Sequence, residues 1–190
     1  MPDHTSAPFS PTTFRVTRHS ASFWRVTFDN GPLNLIDGQM NLELHQLLDE
    51  VERDGRVAVV LFDSDNPDYF LAHYAVPSDM SPLAARQPSE AVPWLHWATF
   101  LARLSKSPVV TITALRGRAR GAGSEFALAT DIRFASRERA VIAQFEVALG
   151  AIPGGAPATR LPGIVGRGRA FEIVLGGEDF DGALAERYGY

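Results

Sequence analysis

The sequence contains no cysteine, which excludes disulfides, thiolate nucleophiles and cysteine-ligated metals. Lysine is almost missing too: Lys106 is the single lysine among 18 basic residues. With a formal net charge of −4, the chain has no excess of positive charge to form the basic stripe that a nucleic-acid partner demands. The preference for arginine is read as compositional. No apolar run approaches the roughly 20 residues of a membrane-spanning helix. The five histidines, at positions 4, 19, 45, 73 and 96, include no pair spaced i, i+3 or i+4, so no helical metal site is expected.

What is present is ordinary for a globular protein: 190 residues, 45% hydrophobic and 21% charged, enough for one domain with a substantial core. Residues 1–13 carry three prolines and no apolar centre, and are expected to form a disordered tail rather than a leader or anchor. The remainder, 14–190, is expected to be one core domain of a soluble, cytoplasmic protein.

Phe14–Thr17 and Phe23–Phe28 alternate apolar with polar residues and predict a β-hairpin. Asp37 is a suitable N-cap for a helix over 38–53, with Leu44, Leu47, Leu48 and Val51 on one stripe. Val57–Phe62 suits a strand buried on both faces. An irregular, proline-containing stretch follows, with Pro77, Pro82, Pro88 and Pro93. A loop of that length inside a compact domain is usually functional or mobile. Next come a helix with Trp94, Trp97, Ala98 and Leu101 on one stripe, a strand over 109–114, and short strands over 132–135 and 141–144. A further helix is expected over 167–175 and the start of another over 181–187. The recurrence of strand, strand and helix suggests stacked ββα units in a mixed α/β domain.

The most distinctive stretch runs from Arg116 to Asp131, Arg-Gly-Arg-Ala-Arg-Gly-Ala-Gly-Ser-Glu-Phe-Ala-Leu-Ala-Thr-Asp. A small-residue turn between a strand and a helix exposes backbone N–H groups at the positive end of the helix dipole. Glu125 lies in the first helical turn beside them, where it can move protons. The stretch is not a dinucleotide fingerprint, because Phe126 stands where a small residue is needed. It is not a P-loop, which requires a lysine, nor a nucleophile elbow, because Ser124 lacks the flanking glycines.

Gly117 to Arg133 resembles the signature of the crotonase (enoyl-CoA hydratase/isomerase) superfamily: a small-residue turn, an acid, an Ala/Leu-rich helix, then Asp-Ile-Arg. Three further segments agree in order and spacing. Val26–Asn34 resembles the family's first turn. Tyr69–Val76 sits where the family has a Phe-x-x-Gly-Ala-Asp loop, and Gln144–Gly155 resembles the segment that carries a second acid.

The resemblance implies a spiral of ββα units and stabilisation of an acyl-CoA enolate by two backbone N–H groups, here those of Tyr74 and Ala122. It implies Glu125 and Glu146 as the acid/base pair, with Ala72, His73, Gly121 and Gly154 contacting substrate. The implied activity is hydration of an α,β-unsaturated thioester in fatty acid metabolism, with no metal and no cofactor beyond the coenzyme A that the substrate carries. The implied partners are an acyl-CoA thioester and, in a full-length chain, further copies in a homotrimer or hexamer. Related alternatives are isomerisation, thioester hydrolysis or decarboxylation, and a catalytically silent acyl-CoA-binding or scaffold protein. Two features depart from the family pattern: His73-Tyr74-Ala75 replaces Gly-Ala-Asp, and Ala122 replaces glycine. The family also continues for several more helices, so the C-terminal helical region reads as truncated.

Overall fold

The computed structural model describes residues 9–76 and 93–190. The stretch holding Pro77, Pro82 and Pro88, and residues 1–8 of the expected tail, lie outside the described residues. The expected hairpin is present: β1 (Phe14–Arg18) pairs antiparallel with β2 (Phe23–Phe28), Phe14 opposite Phe28. From there the chain winds as a spiral. Strands β3 (Val59–Ser64), β5 (Val110–Leu115) and β7 (Ile132–Ala135) add in parallel to a first sheet of order β1-β2-β3-β5-β7. Between them, β4 (Tyr69–Leu71), β6 (Arg118–Arg120) and β8 (Val141–Ala143) build a second parallel sheet. It is closed by antiparallel β9 (Phe180–Asp181). Each turn of the spiral gives one strand to each sheet, which is the ββα repeat expected from the sequence.

The helices among the described residues are α1 (Gly38–Arg53), α2 (Pro93–Leu104), α3 (Ala122–Ala129), α4 (Pro157–Val165), α5 (Arg167–Gly176) and α6 (Gly182–Tyr188). Helix α1 starts where Asp37 accepts a hydrogen bond from the Met40 amide at 2.8 Å, and it buries Met40, Leu44, Leu47, Leu48 and Val51. Such a cap stabilises a helix by about 1 kcal/mol. Among the described residues, no helix is long and apolar enough to cross a membrane.

Helix α3 differs from the others because all eight of its residues are buried. It carries no polar face to solvent; its Ala, Gly and Leu residues let it lie between the two sheets. Phe126 fixes it there. Its ring meets Phe62 at 5.0 Å, Phe28 at 5.5 Å, Phe70 at 5.9 Å and Phe100 at 6.0 Å between centroids. One side chain therefore ties both sheets to α2.

A second buried anchor lies at the entry to β1. The carboxylate of Glu43 on α1 accepts from the amides of Thr12 and Thr13, at 2.9 and 3.0 Å, and from both hydroxyls, at 2.8 and 2.6 Å. Thr12 and Thr13 are thus tied to helix α1. Burial pushes the Glu43 carboxyl up, but the bonds from Thr13, Gln39 and the two amides outweigh it and hold it down at about 2. A depressed carboxyl adds stability above its unfolded pKa, and that stability is lost as pH falls through the folded value. Glu43→Gln should therefore lower stability at pH 7 and flatten its dependence between the ordinary glutamate range and about 2. Urea unfolding across that window measures both effects.

Candidate active site

Strands β4, β6 and β8 are parallel neighbours, with Leu71 opposite Ala119 and Arg120 opposite Ala143. Their C-terminal ends open on the same edge of the second sheet, and adjacent strands lie about 4.8 Å apart. The three segments leaving that edge carry His73–Tyr74, Gly121–Ala122 and Gln144–Glu146. Register alone brings together regions separated by up to 73 positions, His73 to Glu146. Backbone bonds sew the exits together: Arg120 N–H donates to Ala72 O at 3.2 Å and Gly121 N–H to Ala143 O at 2.9 Å.

Two backbone donors stand at these exits. Among the described residues, neither Tyr74 N–H nor Ala122 N–H finds a backbone or side-chain acceptor. Ala122 opens helix α3, so the helix dipole adds to its N–H. Glycine is retained where the backbone needs it, at Gly121 with φ +50°, while His73, Tyr74 and Ala122 have no positive φ. The replaced loop is held by its side chains instead. His73 Nδ1 lies 2.8 Å from Tyr74 O, and the Tyr74 ring packs on Trp97 at 6.3 Å. Helix α3 presses directly on the first exit: a Cβ built on Gly123 would overlap the carbonyl oxygen of Leu71.

Glu125 projects from the first turn of α3 and is 2% exposed. One oxygen accepts from Gly155 N–H at 2.6 Å, the other from the Trp97 indole N–H at 2.9 Å. Arg160 holds the Gly155 carbonyl at 2.6 Å and the Leu101 carbonyl at 3.2 Å, fixing the turn that supplies the first donor. Burial raises the Glu125 carboxyl, opposed by the Gly155 and Trp97 bonds and by the charge of Arg160.

Glu146 is half-buried at the start of a 3₁₀ turn, Glu146–Leu149. Burial pushes it up to about 7; its own backbone N–H lowers it, and the charge of Glu125 raises it further. Gln144, fully buried, stands between Glu146 and the hydroxyl of Ser124, which lies 2.8 Å from the amide. With the amide nitrogen turned to Glu146, it reaches both carboxylate oxygens at 3.2 Å. Ser124 in turn meets the Tyr190 hydroxyl at 2.7 Å.

The Asp-Ile-Arg end of the signature is structural. Asp131 accepts from Thr111 N–H at 2.8 Å and its hydroxyl at 2.7 Å. Arg133 donates to the carbonyl of Thr130 at 3.0 Å and of Ala127 at 3.4 Å, closing the end of α3, and to the Tyr190 carbonyl at 3.0 Å.

Of the residues expected to contact substrate, His73 lines a cavity of about 570 Å³ with Val76, Arg120, Phe145 and Leu149. Gly121 lies against both Phe145 and Glu146. Both backbone groups of Ala72 are engaged, its N–H with Leu33 O and its carbonyl with Arg120 N–H. Gly154 is exposed, and the contact with Glu125 is made by its neighbour Gly155. Reading the sequence missed Trp97, Gln144, Gly155, Arg160 and Tyr190 as parts of the site. Gln144 was within reach, two residues before an expected acid; Trp97 was hidden in a helical stripe that reads as core.

The sequence pattern of the enoyl-CoA hydratase/isomerase family matches residues 18–190. Among solved structures, the chain is similar to a Streptomyces avermitilis protein provisionally named an enoyl-CoA hydratase. Identity is 36% and the TM-score 0.80, over 95% of this chain and 66% of that one. An enoyl-CoA hydratase from Geobacillus kaustophilus gives 27% identity and a TM-score of 0.84, over 95% and 67%. DspI of Pseudomonas aeruginosa gives 28% and 0.81, over 97% and 69%. The chain thus spans about two thirds of the length of these proteins.

Removing the indole donor tests how Glu125 is held. Trp97→Phe keeps the ring stacking and deletes one bond that favours the ionised carboxylate, so the Glu125 pKa should rise. Loss of a buried bond to a charged group should also cost about 1–3 kcal/mol. Carbon-13 titration of labelled glutamate and urea unfolding read the two effects separately.

Proposed function

The chain belongs to the enoyl-CoA hydratase/isomerase family, and on that basis we propose that it hydrates an α,β-unsaturated acyl-CoA thioester. The observation that carries this reading is a pair of carboxyls that feel each other's charge and have unlike support. Glu125 has a donor on each oxygen, an arrangement suited to the ionised form. Glu146, pushed up to about 7, keeps its proton in much of the population near neutrality. Two acids with unlike hydrogen-bond support can divide the roles of base and acid.

In the proposed reaction the thioester oxygen rests against the N–H groups of Tyr74 and Ala122. Glu125 takes a proton from water as the oxygen attacks the β-carbon. Electrons move through the double bond onto the thioester oxygen, where negative charge grows. Fixed backbone donors at that point lower the barrier by roughly 3–4 kcal/mol each. The enolate then collapses and its α-carbon takes the proton of Glu146. The sum is one water added across one carbon–carbon double bond, with Glu125 left protonated and Glu146 ionised. Proton exchange with solvent restores the pair, and no redox partner is consumed.

Hydration fits the site better than isomerisation, because shifting a proton between two carbons needs only one acid. The cavity beside His73, Phe145 and Leu149 offers room for the acyl group. Exposed apolar side chains, among them Leu149, Ile152, Phe171 and Leu175, support a homo-oligomeric assembly.

Loss of crotonyl-CoA, followed by the ultraviolet absorbance of the enoyl thioester, tests the proposal. Glu125→Gln and Glu146→Gln should each lower kcat by about 10²–10⁴-fold while leaving thioester binding nearly intact. Full activity in either variant contradicts its assigned role. In the unaltered protein the rate should fall as pH rises through about 7, where Glu146 loses its proton. A rate rising through that region would reverse the assignment.

A further inference from the structure

We infer that Ser124 and Tyr190 are positioning residues for Glu146, acting through the amide of Gln144, which reverses its direction as Glu146 gains or loses its proton. The inference rests on the reading of Glu146 as the proton donor, and deepens it.

The geometry is a chain of four groups, three buried and the fourth, Glu146, half-buried. Tyr190 hydroxyl and Ser124 hydroxyl are 2.7 Å apart, Ser124 and the Gln144 amide 2.8 Å, and the amide and both oxygens of Glu146 3.2 Å. Ser124 and Gln144 are fully buried and Tyr190 is 6% exposed. An amide is polar in one sense only, its nitrogen donating and its oxygen accepting, whereas a hydroxyl can do either. That difference gives the chain two hydrogen-bonded arrangements.

When Glu146 is ionised, the amide nitrogen faces it and donates to the carboxylate. The amide oxygen then accepts from Ser124 O–H, and Ser124 accepts from Tyr190 O–H. Every donor points toward the charge. When Glu146 is protonated, its own O–H donates to the amide oxygen. The amide nitrogen then faces Ser124, whose hydroxyl turns toward Tyr190. The ionised state leaves none of the four groups without a partner, so a proton can leave Glu146 without leaving an unsolvated charge behind.

Among the described residues, the titratable groups acting on Glu146 and its network are Glu125 from α3, which opposes ionisation, and the Tyr190 phenol itself. Arg160 acts on Glu125. Arg120 and Asp179, which line the cavity beside Phe145, are paired with each other.

The test is a carbon-13 titration of the Glu146 carboxyl in substrate-free protein labelled at glutamate, with Glu146→Gln assigning the resonance. Ser124→Ala unties the oxygen end of the amide, so the midpoint should move up by about half to one pH unit. Gln144→Met removes the amide at nearly constant volume and should move it up at least as far. The double variant should match Gln144→Met alone, because Ser124 acts only through Gln144. If Ser124→Ala does not fold, Tyr190→Phe replaces it in the same comparison, with an upward shift present with Gln144 and absent with Met at that position. An unmoved midpoint in the single variants, or additive shifts in the double variant, overturns the inference. A drop in kcat without a moved midpoint also overturns it, since that is what a packing defect alone would give. Because the titration uses no substrate, it decides the inference independently of whether the protein hydrates crotonyl-CoA.

Discussion

Everything in this site depends on how closely helix α3 approaches the second sheet. At Gly123 the helix touches the Leu71 carbonyl with no side chain between. The contact brings the end of strand β4, and so Tyr74, beside the start of the helix, and so Ala122. It also turns Glu125 inward and seats Phe126 in the aromatic cluster that both sheets share. A methyl group at position 123 would have to push the helix off the sheet, and interiors packed at crystal density give way only at a cost of about 1–3 kcal/mol or more. The separation of the two exits is therefore set by backbone against backbone, the stiffest contact a protein can make.

Much of this was legible in the sequence because it rests on local rules. The hairpin alternates over enough residues to be seen, and α1 announces itself with Asp37 and a four-residue apolar stripe. Glu125 stands out because a carboxylate follows a small-residue turn. Other features escaped for physical reasons. Strands β4 and β6 are three residues each, too short for any period, and exist only because neighbouring strands accept their bonds. Val57 and Ala58 approach β3 without joining it, since Val57 N–H is used by Asp54 O. Helix α4 contains Pro162, which a local rule reads as a breaker. Trp97 sits on an apolar stripe and packs as one, yet its single polar atom meets Glu125; no pattern of hydrophobicity encodes where an N–H will point. Likewise, choosing Gly155 over Gly154 depends on the path of a turn in three dimensions.

The two carboxyls illustrate how one fold can give like groups unlike support. Glu125 is fixed by an indole and by a peptide N–H whose turn an arginine clamps. Glu146 has a soft support, an amide that can turn over. The loop that bears Tyr74 follows the same economy. It lacks the family's glycine, keeps ordinary backbone angles, and gains rigidity from the His73 imidazole and from the edge contact of Tyr74 with Trp97. Trp97 thereby touches both the loop and Glu125, so the two share one support.

Tyr190 touches helix α3 twice. Its hydroxyl meets Ser124 in the first turn, and its carbonyl meets Arg133, the side chain that closes the last turn. The residue is thus a strut running the length of the helix, fastened at either end. A strut transmits force: any partner or chain segment that displaces Tyr190 would load α3 along its axis and carry Ala122 and Glu125 with it. The segment after β9, remote from Glu125 in sequence, is in mechanical terms the handle of the helix that holds the site.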